Sequence, residues 1–222
     1  MAPDQDALAD WTLQRLGDQA WELHYRPGCD ADSCRRLARL ATILRQRADC
    51  ADLVQAYDRL AFFPRNGNGD GDATALRDAL LAHWPALRDR PVQESDEPAL
   101  LVPVVYDGPD LDNHAAACGL SVEALIQRHS ASSYSVAAIG FRPHFAYLLG
   151  LDPSLARPRR DEPRTSVAAG SVAIGGDQTA IYPDDGPGGW HCIGRCDPAI
   201  CRRIGPESRI RFIPRQHKPD RP

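Results

Sequence analysis

Glycine and proline are spread unevenly along this chain of 222 residues: of 36 in total, 11 lie in residues 1–100 and 25 in residues 101–222. Glycine frees the backbone and proline fixes it, so both interrupt regular structure wherever they are dense. Helices therefore fit the first half. The second half is restricted to short elements joined by frequent turns. The length suits two small domains of roughly 100 residues each, and we place them at 1–105 and 106–215, with 216–222 as a disordered tail.

The local patterns agree with that division. Apolar residues at Leu37, Leu40, Ala41 and Leu44 predict an amphipathic helix over 32–45, with Asp32 or Ser33 as its cap. A second helical stripe, Leu76, Leu80, Trp84 and Leu87, predicts a helix over 73–87. Strand patterns surround them: a pair within Trp11–Tyr25 about Gly17-Asp18, a pair at 52–57 and 60–63, and a buried strand at 99–106. The implied order is βαββαβ, an α+β, ferredoxin-like arrangement. Asn66–Asp72 evokes a calcium loop but lacks the closing Glu. Beyond Tyr106, a short helix over 121–129 precedes apolar runs at 135–139, 166–170, 172–174, 178–182, 190–193 and 209–213. Such spacing predicts a compact β-barrel or sandwich.

Composition removes several functions. Of 26 basic residues only Lys218 is lysine, so a phosphate-binding loop ending in G-K-[ST] is impossible, as is a Schiff-base lysine. The only Met is Met1, so the Met-Lys-Met site of biotin attachment is missing too. No apolar run is long enough to span a membrane, and the acidic start is unlike a signal peptide. The net charge of −4 argues against general nucleic-acid binding. Seven cysteines without a secretory signal point to reduced thiols and a cytoplasmic protein. Cys192, Cys196 and Cys201, beside His191, match no common zinc spacing, so no metal is expected.

The most distinctive stretches are Gly140-Phe141-Arg142-Pro143-His144-Phe145-Ala146-Tyr147-Leu148, Pro158-Arg159-Arg160-Asp161-Glu162-Pro163-Arg164, Val167-Ala168-Ala169-Gly170-Ser171-Val172 and Pro187-Gly188-Gly189-Trp190 with Gly194-Arg195. In this order they resemble the KipI family, also called allophanate hydrolase subunit 1 or the carboxyltransferase C/D-domain family. Its members read G-F-x-P-G-F-x-Y-L, P-R-R-x-x-P-R, V-P-A-G-S-V-x-I-x-G and P-G-G-W-x-x-I-G-R. The resemblance extends upstream through Tyr106-Asp107-Gly108-Pro109-Asp110-Leu111 and Arg128-His129.

That resemblance implies a small α+β domain followed by a cyclophilin-like β-barrel. For function it implies one component of an ATP-dependent 5-oxoprolinase, inactive alone. The chain would share ATP with a second carboxyltransferase-like subunit and a LamB/YcsF-type subunit. Two other roles known in the family are inhibition of a sensor histidine kinase and carboxyltransferase-type action on another amide or urea derivative.

Roles follow for the matching residues. Arg159, Arg160 and Arg164 could clamp a carboxylate or acyl phosphate through bidentate guanidinium forks, or form a solvated charge run with Asp161 and Glu162. Gly188 and Gly189 could admit backbone N–H groups to an anion, or simply turn the chain into a strand with Trp190 as core. His129 could exchange protons or close its helix. Ser171 is a hydrogen-bond donor without an evident base, and Tyr182 could line the pocket. His144 stands where the family has Gly, a position that strains His if φ is positive. Ala168 and Cys196 replace the usual Pro and Thr.

Overall fold

In the computed structural model, residues 8–65, 70–89 and 98–215 are described. The Asn66–Asp72 loop falls largely outside them, as does the expected tail. The chain divides into two compact units, Met1–Glu97 and Pro98–Pro222.

The first unit holds β1 (Trp11–Leu16), β2 (Ala20–Tyr25), α1 (Ala31–Arg45), β3 (Cys50–Ala56), β4 (Arg59–Pro64) and α2 (Asp70–Asp89). Its strands pair antiparallel in the order β1-β2-β4-β3. Alternation along them sends Trp11, Trp21, Leu23, Leu53, Leu60 and Phe62 to one buried face. Leu37, Leu40 and Leu44 of α1 and Leu76, Leu80 and Trp84 of α2 close that core. Trp84 packs its ring edge against Trp11 and Tyr25 at centroid distances of 5.1 and 5.0 Å.

Two expectations are corrected here. Helix α1 is capped by Asp30, not by Asp32 or Ser33: its carboxylate accepts from the N–H groups of Asp32 and Ser33 at 3.0 and 2.7 Å. The Ser33 hydroxyl accepts in turn from the Asp30 N–H at 2.8 Å, completing a capping box. The βαββαβ order also fails, because β5 (Leu100–Val104) does not join this sheet. It pairs in parallel with β13 (Arg209–Pro214), near the other end of the sequence. What remains is ββαββα, not a ferredoxin-like order. A further surprise is a disulfide between Cys29 and Cys34, where reduced thiols were expected; Cys50, Cys118, Cys192, Cys196 and Cys201 are free.

The second unit continues with α3 (Leu111–Ala117), α4 (Val122–Ala131), β6 (Tyr134–Ile139), β7 (Ala146–Leu149), β8 (Arg164–Val167), β9 (Ser171–Gly175), β10 (Gln178–Ile181), β11 (Gly186–Gly188) and β12 (His191–Arg195) before β13. Strands run β5-β13-β6-β7-β10-β9-β12. Val105, just past β5, then exchanges backbone hydrogen bonds of 2.9 and 2.8 Å with Arg195 of β12. The sheet thus closes on itself, with β8 and β11 forming a separate ribbon. Val102, Val104, Val172, Ile174, Ile193 and Phe212 fill its interior together with Leu125 of α4. On the opposite face of β9, β10 and β12, Ala173, Ala180 and Cys192 carry a smaller cluster with Phe145, Tyr182 and Trp190.

The Asp30 cap is a discrete contribution to the first unit. Asp30→Ala should destabilise it by about 1 kcal/mol, read as a lowered urea midpoint with unchanged m-value.

Candidate functional site

Asp110 occupies the N-cap position of α3, yet its side chain makes no capping bond. It is 4% exposed and turns toward β12 and the segment 158–164 instead. One carboxylate oxygen accepts from the Cys192 N–H at 2.7 Å and from Arg164 Nη1 at 2.8 Å. The other accepts from Arg164 Nη2 at 2.7 Å and Arg160 Nη1 at 3.1 Å. Burial alone would push this carboxyl up. The Arg164 and Cys192 hydrogen bonds, with the charges of both arginines, outweigh it and hold the group below the usual carboxylate range.

Two of the three arginines expected as an anion clamp are therefore engaged by an internal carboxylate. Arg159 is not. It is exposed, pairs with no carboxylate among the described residues, and lies over the Trp190 ring at 5.5 Å from the centroid. Trp190 belongs to an edge-packed cluster: Phe145 lies 5.0 Å from Tyr147, 5.4 Å from Tyr182 and 5.9 Å from Trp190. Burial pushes the Tyr182 phenol up to about 12, so it is a neutral hydroxyl.

The glycines expected to admit an anion have a packing role here. A Cβ at Gly188 would overlap the Tyr182 hydroxyl, so only glycine allows that approach. Gly189 is less constrained, with Pro163 at 3.7 Å from a Cβ built there; its carbonyl accepts from the Arg160 N–H at 2.8 Å. Ser171 opens β9; the Cys192 thiol of β12 is buried, and burial raises its pKa. His144 is exposed with φ of 65°, and Phe141 in the same loop has φ of 67°. Both are in the left-handed region, at a cost on the order of 1 kcal/mol each.

His129, expected as an acid–base group, is placed elsewhere. It lies in the barrel interior, 0% exposed, with its ring stacked on Phe212 at 4.6 Å. The Thr179 hydroxyl donates to the Ala173 carbonyl at 3.0 Å, so it accepts from His129 Nε2–H, also at 3.0 Å. His129 Nδ1 then accepts from the Tyr106 hydroxyl at 2.8 Å. Desolvation, aided by nearby His114, holds its pKa down to about 3. A neutral imidazole with both nitrogens bonded to the protein is a core group, not a proton exchanger for a substrate.

Residue order alone assigns Asp110 no role, although it lies in one of the quoted stretches; an acid within a motif whose partner motif is rich in arginine was the available signal. His114 is likewise passed over. It is buried on α3 with Nε2–H donating to the Leu155 carbonyl at 2.9 Å and its ring 5.1 Å from His191. Among the described residues no cluster of three or more His, Cys, Asp or Glu could hold a metal ion.

Residues 11–203 match the model of the carboxyltransferase domain, subdomain C and D, and the chain belongs to that family. It is 36% identical over 213 residues to the B subunit of 5-oxoprolinase from Escherichia coli O157:H7, covering 90% of this chain and 94% of that one. It is also 36% identical over 177 residues to the Haemophilus influenzae protein of the same name, covering 78% and 80%. The crystal structure of TTHA0988 superposes with a TM-score of 0.71 at 32% identity; it covers 92% of this chain, which spans only 41% of that longer one.

Two outcomes test this geometry. Asp110→Ala leaves two half-buried arginines without their counter-charge, so stability should fall by about 3 kcal/mol in chemical denaturation. His129 is neutral in the fold and ordinary when unfolded, so its contribution is intact above pH 6.5. It should weaken by about 1.4 kcal/mol per pH unit as pH falls from there toward the folded value of about 3. His129→Gln should flatten that acid slope in a pH series of thermal melts.

Proposed function

We propose that the chain is the B component of an ATP-dependent 5-oxoprolinase, the enzyme that opens the lactam of 5-oxoproline to glutamate. The observation that carries this reading is 36% identity running through 94% of the Escherichia coli protein of that name. Likeness along nearly the whole relative, not over one shared module, supports a common role.

Within that role, Arg159 binds the substrate's carboxylate. It is the arginine of the 158–164 segment left without an acidic partner among the described residues, and Trp190 supports its guanidinium from below. Arg160 and Arg164 act as positioning residues: by fixing the segment to Asp110 they hold Arg159 where a ligand meets it. The aromatic rings of Tyr147 and Trp190 offer an apolar wall beside that charge. We assign the second unit to a cyclophilin-like barrel, consistent with a sheet that closes between Val105 and Arg195.

ATP is shared with the partner subunits. Without a lysine-bearing phosphate loop, this chain's contacts to phosphates come from arginines and backbone N–H groups. Arginine stays protonated at neutral pH and cannot act as a base. With His129 enclosed, the proton-transfer group is another histidine, a carboxylate, or a group brought by a partner; those partners are a second carboxyltransferase-like subunit and one of the LamB/YcsF type. The assembly is cytoplasmic, and no described helix is long and apolar enough to cross a membrane.

Reconstitution decides the matter. Combined with its partner subunits, the chain should support ATP-dependent conversion of 5-oxoproline to glutamate, and none alone. Arg159→Ala should lower that rate at least about tenfold, equivalent to about 1.4 kcal/mol, with the melting temperature unchanged. Partners that are fully active without this chain would sink the assignment.

A further inference from the structure

Cys29, in the turn between β2 and α1, is bonded to Cys34 in the first turns of α1 across a Cα–Cα distance of 5.5 Å. That separation is ordinary for a disulfide. The two sulfurs have unequal surroundings. Cys34 is 0% exposed, and its Sγ lies 4.0 Å from the Tyr57 carbonyl. Cys29 is half-buried and lines an open cleft of about 510 Å³, together with Tyr25, Asp30, Ser33 and Arg36.

We propose that Cys29 is a thiol-exchange site, at which a low-molecular-weight thiol forms a mixed disulfide with the protein. The thiolate enters the cleft and attacks Cys29 Sγ. A bond forms between the incoming sulfur and Cys29, the bond from Cys29 to Cys34 breaks, and the electron pair leaves on the Cys34 sulfur, which takes up a proton. One thiol and one disulfide enter and one of each leaves, so no further oxidant is needed. A second small thiol attacking the mixed disulfide would complete reduction; return attack by Cys34 would restore the starting state.

Four features direct the exchange to Cys29. Access decides which sulfur is attacked, since Cys34 has no exposed surface. The departing Cys34 sulfur sits near the N-terminus of a helix of 15 residues, whose positive end favours a leaving thiolate. Once protonated, that thiol faces the Tyr57 carbonyl as acceptor. The Arg36 guanidinium lines the cleft as well, a positive charge set beside the Asp30 and Asp32 carboxylates. Breaking the bond is compatible with the folded unit, because the Asp30–Ser33 capping box holds the start of α1 independently. The free cysteines are poor competitors. Cys50, Cys192 and Cys201 are buried, and burial pushes the Cys196 and Cys201 thiols up to about 12 and 11.

The test uses the full chain purified without reductant, with glutathione as the probe. Denaturing alkylation before any thiol is added should leave Cys29 and Cys34 unlabelled. After brief exposure to reduced glutathione, acid quenching and denaturing alkylation, peptide mapping should find glutathione on Cys29 and the alkyl group on Cys34. The variant Cys34→Ser, loaded with oxidised glutathione, should keep its adduct at least about tenfold longer than the wild-type chain under reduced glutathione, because the resolving thiol is gone. Labelling of both cysteines at the outset would overturn the proposal, as would glutathione mapped to Cys34 or spread evenly over the other cysteines. So would equal adduct lifetimes in the two proteins. The mapping arm uses the wild-type chain alone and stands even if the variant folds poorly.

Discussion

The Asp110 carboxylate accepts hydrogen bonds from a strand, through the Cys192 N–H, and from a loop and the strand after it, through Arg160 and Arg164. It does so from the N-cap position of α3, where an aspartate would ordinarily serve its own helix. The side chain gives up the cap and joins three parts of the second unit that are distant in sequence. A buried charge is tolerable only when it is paired and hydrogen-bonded. Here both oxygens are used, and the Arg164 contact is bidentate, the geometry that suits a planar guanidinium best. Removing Asp110 would leave both guanidinium groups without their counter-charge, so this one carboxylate fixes the segment in place.

That rigidity determines what neighbouring residues can do. Pro158 and Pro163 restrict the segment, Arg160 and Arg164 turn inward to Asp110, and Arg159 is left over the Trp190 ring. The aromatic cluster beneath depends on glycines for close approach: Gly188 lies against Tyr182 and Gly175 against the Trp190 ring. Two motifs quoted separately in the sequence, the arginine-rich and the glycine–tryptophan stretches, thus form the two sides of one surface. The exposed Arg159 guanidinium lies over those rings, and the proposed carboxylate contact rests on that arrangement.

The inside of the same barrel follows a different rule. Tyr106, His129 and Thr179 form a hydrogen-bond chain ending on the Ala173 carbonyl, each donor matched to one acceptor. A fully satisfied polar chain can be buried without the penalty of an orphaned group, but only while the imidazole stays neutral. The requirement ties this unit's stability to pH and explains why a histidine with the right chemistry for catalysis is not in a position to perform it.

Much of the local structure was legible from residue order. The apolar spacing of Leu37, Leu40 and Leu44 identified α1, the Gly17 turn identified the first hairpin, and the short runs past residue 134 identified most barrel strands, because these patterns reflect neighbours within one element. The ordered motifs likewise placed the chain in its family, since a motif is a local property. What they did not contain was pairing across distance. Leu100–Val104 reads as a strand in any context, and only tertiary structure sent it to Phe212 and its neighbours instead of to the first sheet. Asp30 rather than Asp32 caps α1 because the cap depends on where the chain bends, not on residue type alone. The three arginines look equivalent in sequence, and His129 looks as available as any histidine. Burial and the position of Asp110 separated them, for a side chain's charge and freedom depend on what surrounds it in space, and sequence order alone does not specify those surroundings.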